Sequence, residues 1–135
     1  MKIYFAGSIR GGRDDKDLYF AIIKLLQNYG QVLTEHVGDM KLSVMGENKA
    51  EVDIFKRDLN WVKEADVIVA EVTTPSLGVG YELGKAEEFG KKVLCLYRPQ
   101  DDRSLSAMIS GNKNFIIKEY TDLMQAEKIL KGFLG

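Results

Sequence analysis

Hydrophobic residues along this chain follow two patterns that alternate from one end to the other. Short runs of apolar, mostly β-branched or aromatic residues predict strands, and longer stretches with apolar residues three or four positions apart predict helices. Five strands are predicted, at Lys2–Ala6, Gln31–Thr34, Val67–Ala70, Lys92–Tyr97 and Phe115–Lys118. Helices are predicted to begin near Asp14 or Asp15, at Ala50, at Tyr81 and after a cap at Thr121, with a short one within Arg103–Ser110.

Strands that alternate with helices indicate one α/β domain, residues 1–135, with a five-stranded parallel sheet and helices on both of its faces. We expect the flavodoxin-like, Rossmann-like strand order 2-1-3-4-5, in which ligands bind outside the carboxyl ends of the first and third strands. Glycine-rich loops follow these two strands, with the sequences GSIRGGR (Gly7–Arg13) and TTPSLGVG (Thr73–Gly80). The pattern therefore predicts that both loops line one crevice.

The segment Ala65–Gly90 combines a buried strand, a glycine-rich loop and a helix that ends at Gly90 as its C′ cap. This arrangement directs backbone N–H groups and a helix N-terminus at an anion. Glu82 is predicted to lie in the first turn of that helix, where the positive end of the helix macrodipole favours an ionised carboxylate. Glu82 is thus a candidate catalytic residue, and a surface glutamate at the start of a helix is the alternative.

The first glycine-rich loop offers backbone N–H groups, a serine hydroxyl and two guanidinium groups, and arginine matches phosphate oxygens in bidentate geometry. Its sequence fits neither the dinucleotide fingerprint GxGxxG nor the P-loop GxxxxGK[ST], which favours a monophosphate. A tight turn with solvated arginines is the alternative. The candidate binding residues of this loop are Gly7, Ser8, Ile9, Arg10, Gly11, Gly12 and Arg13.

Asp58 interrupts an apolar row of the second long helix, a row that also contains Ile54 and Trp61. A carboxylate on an inward-facing row must be paired, hydrogen-bonded or protonated. Asp58 is therefore either a residue of the site or a boundary residue paired with Arg57 or Lys63.

Tyr4, Glu71 and His36 lie near the carboxyl ends of predicted strands. Tyr4 is either a core aromatic or a hydroxyl held beside a carboxylate. Glu71 either faces the crevice or caps the loop that follows it, and His36 either contacts a ligand or is solvated. Two carboxylates and a phenol around an anion pocket suit the cleavage of a glycosidic bond, in which one carboxylate is the nucleophile.

Composition narrows the class of protein. The formal net charge of −1 gives no general attraction to nucleic acid or to an anionic membrane surface. One histidine and one cysteine, Cys95, leave no Cys/His metal cluster and no internal disulfide to predict. No apolar run approaches the length of a membrane helix, and Met1 leads directly into the first strand without room for a signal peptide. A cytoplasmic location is therefore expected.

Taken together, the motifs resemble those of the 2′-deoxynucleoside 5′-phosphate N-hydrolases, which belong to the nucleoside 2-deoxyribosyltransferase superfamily. The similar segments are YFAGSIRGGR (4–13), LTEH (33–36), DLNW (58–61), ADV (65–67), EVTTPSLGVGYELG (71–84), LYRPQ (96–100) and LSAMI (105–109). The resemblance covers about residues 2–110. It is weak over Gly38–Phe55 and in the last helix, so nothing is carried over there.

The resemblance implies a flavodoxin-like homodimer that hydrolyses the N-glycosidic bond of deoxynucleoside monophosphates, with a preference for purines and with no metal or cofactor. The products are a free base and 2-deoxyribose 5-phosphate. In the family pattern Glu82 is the nucleophile at the anomeric carbon and Tyr4 positions that carboxylate. Asp58 binds a sugar hydroxyl or assists proton transfer.

The same resemblance implies where the rest of the substrate is bound. The first glycine-rich loop surrounds the sugar phosphate together with the start of the helix that carries the nucleophile, and one residue lies towards the base. A segment after the fourth strand reaches the phosphate from the partner subunit. At the start of that helix the implied residues are Ser76 and Gly78, and the residue towards the base is His36. The residues implied to come from the partner subunit are Ser106, Ala107 and Met108.

Two other functions share most of these features. A deoxyribosyltransferase forms the same intermediate but passes the sugar to another base, and a nucleotide-binding sensor uses the crevice without turnover. Arg10 and Ser106 favour a 5′-phosphate over a free hydroxyl, and hence hydrolysis. A complete set of Tyr4, Asp58 and Glu82 disfavours a sensor, which needs no nucleophile.

Overall fold

The computed structural model of the chain describes residues 1–9, 13–36 and 50–135. Over these residues strands and helices alternate, as the hydrophobic pattern predicts. The strands are β1 (Lys2–Ala6), β2 (Gln31–Leu33), β3 (Val67–Glu71), β4 (Lys92–Tyr97) and β5 (Phe115–Glu119). The helices are α1 (Arg13–Gln27), α2 (Glu51–Glu64), α3 (Leu77–Glu88), α4 (Ala107–Ser110) and α5 (Leu123–Leu134).

The sheet is parallel throughout and has the strand order β2-β1-β3-β4-β5, which confirms the predicted topology. Within it β1 and β3 pair directly, with Tyr4 opposite Ile68 and Ala6 opposite Ala70. Their carboxyl ends therefore lie side by side. Since α1 and α3 cover opposite faces of the sheet, the chain leaves these two neighbouring ends in opposite directions and opens a crevice between them.

Side chains alternate along each strand between the two faces of the sheet. Helices α2 and α3 cover one face, where the buried residues include Tyr4, Ala6, Val62, Ile68, Leu83 and Ala86. Helices α1 and α5 cover the other, where they include Ile3, Phe5, Ile22, Val69, Ala126 and Leu130. Because both faces are covered, the strands are apolar over most of their length. The alternation places Tyr4 on the face that carries α3.

The start of α3 corrects one sequence-based prediction. The helix begins at Leu77, not at Tyr81, because the Ser76 hydroxyl caps it by accepting from the backbone N–H of Val79 at 3.2 Å. Glu82 therefore lies in the second turn, and its predicted place in the first turn is wrong. The effect of the macrodipole falls off within the first turn, so it does not account for the properties of Glu82.

Other helix ends also differ from prediction. Helix α5 is capped by Asp122, whose carboxylate accepts from the Gln125 N–H at 2.8 Å, so the predicted cap at Thr121 is wrong. Helix α1 begins at Arg13, close to its predicted start near Asp14 or Asp15. The C-terminal end of α3 agrees with prediction, since Gly90 follows it at φ +72°, a conformation that favours glycine.

Within the described ranges, no helix has both the length and the apolar composition that crossing a bilayer requires.

Candidate active site

A cavity of about 470 Å³ opens at the carboxyl ends of β1 and β3, where the sequence predicts a ligand crevice. Residues 7–9 of the first loop form one wall, and the loop after β3 with the start of α3 forms the other. We call it the active-site cavity. Its lining residues are Gly7, Ser8, Ile9, Glu35, Pro75, Ser76, Leu77, Gly78, Val79 and Glu82.

Glu82 is held in this cavity by a hydrogen bond from the sheet. The Tyr4 hydroxyl donates to Glu82 Oε2 across the interface between β1 and α3. Tyr4 is 1% exposed, so its ring is fixed by the core, and the bond orients one carboxylate oxygen. The structure thereby brings together two of the three residues predicted to be catalytic.

Burial raises the pKa of Glu82 to about 7. The cause is loss of solvent, which disfavours the charged form of a carboxyl group. Near neutral pH both protonation states of Glu82 are therefore populated. A carboxyl group with such a pKa in a concave site is typical of acid–base or nucleophilic chemistry.

The first loop begins with Gly7, which packs closely against the side chains of Tyr19 and His36. A Cβ atom at this position would lie 3.1 Å from the Tyr19 ring and 3.3 Å from His36 Nε2, so only glycine fits without a shift of its neighbours. The His36 ring is 3.0 Å from the Gly7 carbonyl oxygen through Nε2. Since a carbonyl only accepts, Nε2 carries the proton.

His36 thus supports the first loop from inside the fold. It is 2% exposed and packs edge-on against Tyr19 at 5.0 Å between ring centroids. It does not line the active-site cavity as the described residues form it. Its predicted contact with a base stays a prediction.

The loop after β3 places Ser76 and Gly78 in the opposite wall of the cavity, as the family pattern implies. Ser76 lines the cavity wall and also caps α3. A Cβ atom on Gly78 would meet no atom closer than Ser76 Oγ at 3.9 Å, and one on Gly80 or Gly84 would meet nothing within 4 Å. The described fold therefore leaves open space beside all three glycines of α3.

Part of the first loop lies outside the described residues. These are Arg10, Gly11 and Gly12, together with the side chain of Arg13. Their predicted binding of a phosphate stays a prediction. Gly7, Ser8 and Ile9 do line the cavity, and Ser8 is 6% exposed.

Asp58 is paired within its own helix. Its Oδ1 accepts from Arg57 Nε at 3.0 Å, and Arg57 Nη2 is also 3.8 Å from Glu35 Oε1. Pairing with Arg57 is one of the alternatives weighed from the sequence. Asp58 is not among the lining residues of the active-site cavity, whereas Glu35 is. The predicted role of Asp58 at the sugar stays a prediction, and the ion pairs connect it to the cavity wall.

Sequence reasoning missed Glu35 as a wall residue. It follows the carboxyl end of β2 within the LTEH segment, and that position is the signal that could have identified it.

Ser106 and Met108 lie away from Glu82 within one chain. They line a second cavity, of about 640 Å³, which we call the outer cavity. The two cavities share the wall Pro75–Leu77 and Val79. On the rim of the outer cavity Leu77 is 96% and Met108 81% exposed. Ala107 is the first residue of α4, and Ser106 caps that helix by accepting from the Met108 N–H at 3.2 Å.

Glu71 does not face the cavity. It is completely buried and accepts from the backbone N–H and hydroxyl of Thr73, at 2.8 and 3.0 Å, so it caps the turn that begins the loop. Arg98 Nε donates to it at 3.2 Å, and so does the Tyr120 hydroxyl. These partners were not predicted from the sequence.

The chain belongs to the nucleoside 2-deoxyribosyltransferase family, whose model matches residues 3–125. Within that family it is similar to proteins named as hydrolases. A pufferfish protein, from Tetraodon nigroviridis, is named 5-hydroxymethyl-dUMP N-hydrolase and is 51% identical over 140 residues, covering 100% of this chain and 98% of its own. The human protein of that name is 58% identical over 111 residues, covering 81% of this chain and 64% of its own.

A further relative, from Nematostella vectensis, carries the provisional name 2′-deoxynucleoside 5′-phosphate N-hydrolase 1. It is 59% identical over 126 residues, which cover 90% of this chain and 86% of its own.

Solved structures share the fold at lower sequence identity. A CMP N-glycosidase from Clostridium botulinum superposes with a TM-score of 0.69 at 18% identity, covering 99% of this chain and all of its own. A 2-deoxyribosyltransferase from Bacillus psychrosaccharolyticus superposes with a TM-score of 0.68 at 20% identity, covering 94% and 90%. At these identities the likeness shows the fold alone, and it agrees with the predicted architecture.

The Tyr4–Glu82 hydrogen bond generates a prediction about proton affinity. Tyr4→Phe keeps the ring in the core but removes a donor to the ionised carboxylate, so the pKa of Glu82 should rise from about 7. The expected rise is about one to two units, the equivalent of a hydrogen bond to a charged group. Carboxyl-detected NMR titration of Glu82 measures it.

Tyr97→Phe is the matched control. The Tyr97 hydroxyl donates to the backbone carbonyl of Arg103 at 3.3 Å and not to a carboxylate, so its loss should leave the Glu82 titration unchanged. A pKa of Glu82 that is the same in Tyr4→Phe as in the wild type would show that the hydrogen bond does not set its proton affinity.

Proposed function

We propose that this protein hydrolyses the N-glycosidic bond of 2′-deoxynucleoside 5′-monophosphates and releases a free base and 2-deoxyribose 5-phosphate. The observation that carries the proposal is Glu82, half-buried in the wall of a cavity and oriented by the Tyr4 hydroxyl between two loops. Family membership and the names of the relatives support the same reaction.

In the first step, the Glu82 carboxylate attacks the anomeric carbon as the base departs, and a deoxyribosyl ester forms on Glu82. Tyr4 donates a hydrogen bond to one oxygen of Glu82 and so keeps the carboxylate in a fixed orientation. The departing base takes up a proton, and Asp58, whose carboxylate is paired with Arg57, is proposed either to bind a sugar hydroxyl or to relay that proton from water. In the second step water opens the ester, which restores the carboxylate and gives net retention at the anomeric carbon.

The 5′-phosphate is proposed to lie between the two loops. Ser8 offers a hydroxyl from the first wall, and Ser76 stands at the N-terminus of α3 in the second. The Ser76 side chain caps Val79, so the N–H groups of Leu77 and Gly78 are those that an anion at this helix start would accept from. Arg10 supplies the positive charge in this proposal.

Relatives named 5-hydroxymethyl-dUMP N-hydrolase make that pyrimidine nucleotide the first substrate to test on this chain. The purine preference implied by the resemblance is the alternative. Incubation with each deoxynucleotide, followed by chromatography of the released base, measures both. Addition of a different free base in the same assay separates hydrolysis from base exchange, the activity that the family description names.

We further propose that the protein is a homodimer with shared active sites, in the cytoplasm. Ser106 does not line the active-site cavity of its own chain but a neighbouring one, which supports a role for it in the site of the partner. The exposed side chains of Leu77 and Met108 on the same rim supply apolar area for such an interface. Each two-fold-related site would then be completed by the other chain.

Glu82→Gln keeps the shape of the side chain but removes its charge. We expect activity to fall by at least about 10³-fold, or about 4 kcal/mol of barrier, with nucleotide binding retained. The matched control is Glu88→Gln on the same helix, where an exposed carboxylate pairs only with Lys85 among the contacts seen, at 3.1 Å. Near-normal turnover by purified Glu82→Gln would exclude Glu82 as the nucleophile.

Deoxynucleoside 5′-monophosphates should be cleaved with a kcat/KM at least about a hundredfold above that of the matching nucleosides. Two or more hydrogen bonds to a charged phosphate supply this difference, because binding energy remote from the reacting bond lowers its barrier. Steady-state kinetics on both substrates measures the ratio. Equal values would favour a transferase that acts on nucleosides.

Ser106→Ala should weaken monophosphate binding by about 1–2 kcal/mol, the scale of a hydrogen bond to a charged group. Mixed with Glu82→Gln subunits, it tests the shared site at substrate concentrations well below KM. If Ser106 acts in the partner site, heterodimers contain one intact site and activity exceeds the mean of the parents. Verified subunit exchange with activity equal to that mean would assign Ser106 to its own chain or to no site.

A further inference from the structure

A chain of polar contacts lies at the carboxyl edge of the sheet, outside the lining of the active-site cavity. It connects the end of β3, the ends of β4 and β5, the first turn of α1 and the loop that leads to α3. We call it the carboxyl-edge network. Its members are Asp15, Glu71, Thr73, Thr74, Arg98 and Tyr120.

Arg98 is the central residue of this network. Its Nε donates to Glu71 Oε2 at 3.2 Å, and its Nη2 donates to Asp15 Oδ1 at 2.8 Å. Its backbone N–H donates to Thr73 Oγ1 at 2.9 Å. One planar guanidinium thus bridges two carboxylates that are 56 positions apart in the chain, a geometry that a lysine ammonium cannot reproduce.

Asp15 extends the network into the loop. While Oδ1 pairs with Arg98, Oδ2 accepts from the Thr74 hydroxyl at 2.8 Å. Asp15 lies in the first turns of α1, directly after the first loop, and Thr74 is followed by Pro75 and Ser76 in the opposite cavity wall. The contact from Thr74 to Asp15 therefore joins the loop after β3 to the start of α1, the helix that follows the first loop.

The far end of the network is anchored in the core. Glu71 is completely buried, and the Tyr120 hydroxyl donates to it. Burial and the nearby Glu71 carboxylate raise the pKa of Tyr120, so the phenol keeps its proton and remains a donor. A buried carboxylate with this many donors has one preferred arrangement, and it fixes the orientation of Arg98.

We propose that Arg98, Asp15 and Thr74 are positioning residues that set the separation of the two cavity walls and thereby the recognition of the substrate phosphate. The inference rests on the proposed function, in which the phosphate lies between these walls. None of the three lines the active-site cavity, so they act through the loops that they join. Glu82 is held separately, by Tyr4.

This division has a measurable consequence. Loosening the link between the walls should impair a substrate that spans both walls and spare one that lacks the phosphate. A general loss of stability would impair both substrates alike. The ratio of kcat/KM for a deoxynucleoside monophosphate to that for its nucleoside therefore separates positioning from stability.

Thr74→Val is the sharpest test, since it removes one hydroxyl from a half-buried position and leaves the Arg98 ion pairs in place. We expect kcat/KM for the monophosphate to fall roughly ten- to a hundredfold, the effect of a small misplacement of binding groups. Nucleoside cleavage and the pH dependence should be unchanged. Thr74→Ser retains the hydroxyl and should restore the wild-type ratio.

Thr121→Val is the matched control. It removes one exposed hydroxyl, which donates to Gln125 Oε1 at 3.0 Å beside α5, and it should leave the ratio unchanged. Asp15→Asn and Arg98→Lys are further variants, which weaken the ion pairs of the carboxyl-edge network. Both variants should lower the ratio of kcat/KM for the monophosphate to that for the nucleoside, even where their thermal stability also falls.

Binding of 2-deoxyribose 5-phosphate, measured by calorimetry, makes the test independent of turnover. The expected result is weaker binding by Thr74→Val and Asp15→Asn, with wild-type binding by Thr74→Ser. An unchanged substrate ratio and unchanged binding in Thr74→Val would overturn the inference, and so would equal losses on both substrates. A wild-type protein that binds the sugar phosphate but cleaves no deoxynucleotide would overturn the proposed function, and the binding comparison would still decide the inference.

Discussion

The hydrogen bond from Tyr4 to Glu82 joins the central sheet to the helix that covers it, and the candidate site depends on it. It requires that β1 present Tyr4 to the face occupied by α3, which the alternation of side chains along the strand ensures. A shift of β1 by one residue would place Ile3 or Phe5 there instead, and neither has a donor. The pairing of β1 with β3 is therefore as necessary to the site as the carboxylate itself.

Two separate sets of polar contacts lie at the carboxyl edge of the sheet, and each orients a different part of the candidate site. Tyr4 fixes the direction of Glu82, while Arg98 and its carboxylate partners fix the loops on either side. Glu82 lines the cavity, whereas no member of the carboxyl-edge network does. A fixed constellation of this kind is what lowers the cost of arranging groups at the moment of reaction. Both are anchored in the core, through the buried side chains of Tyr4 and Glu71.

The three central strands β1, β3 and β4 were predictable because they are buried along almost their whole length and so read as short apolar runs. The alternation of strands with helices then predicted the strand order. The start of α3 was not predictable, since LGVG has low helix propensity and only the Ser76 cap and the packing of Val79 extend the helix over it. The contact between Tyr4 and Glu82 could be predicted through the motifs that contain them. The contacts of Arg98 could not, because its partners lie far away in sequence and no periodicity connects them.

The three glycines of α3 determine what stabilises this helix. Each has room for a Cβ atom, so the described fold does not require glycine there, and each lowers helix propensity by about 1 kcal/mol relative to alanine. Cut out as a peptide, the segment would not be helical. The helix exists because Val79, Leu83 and Ala86 are buried against the sheet. The Glu82 carboxylate is thus presented by a segment that takes its shape only in the assembled domain, so loss of the fold and loss of the candidate site would occur as one event.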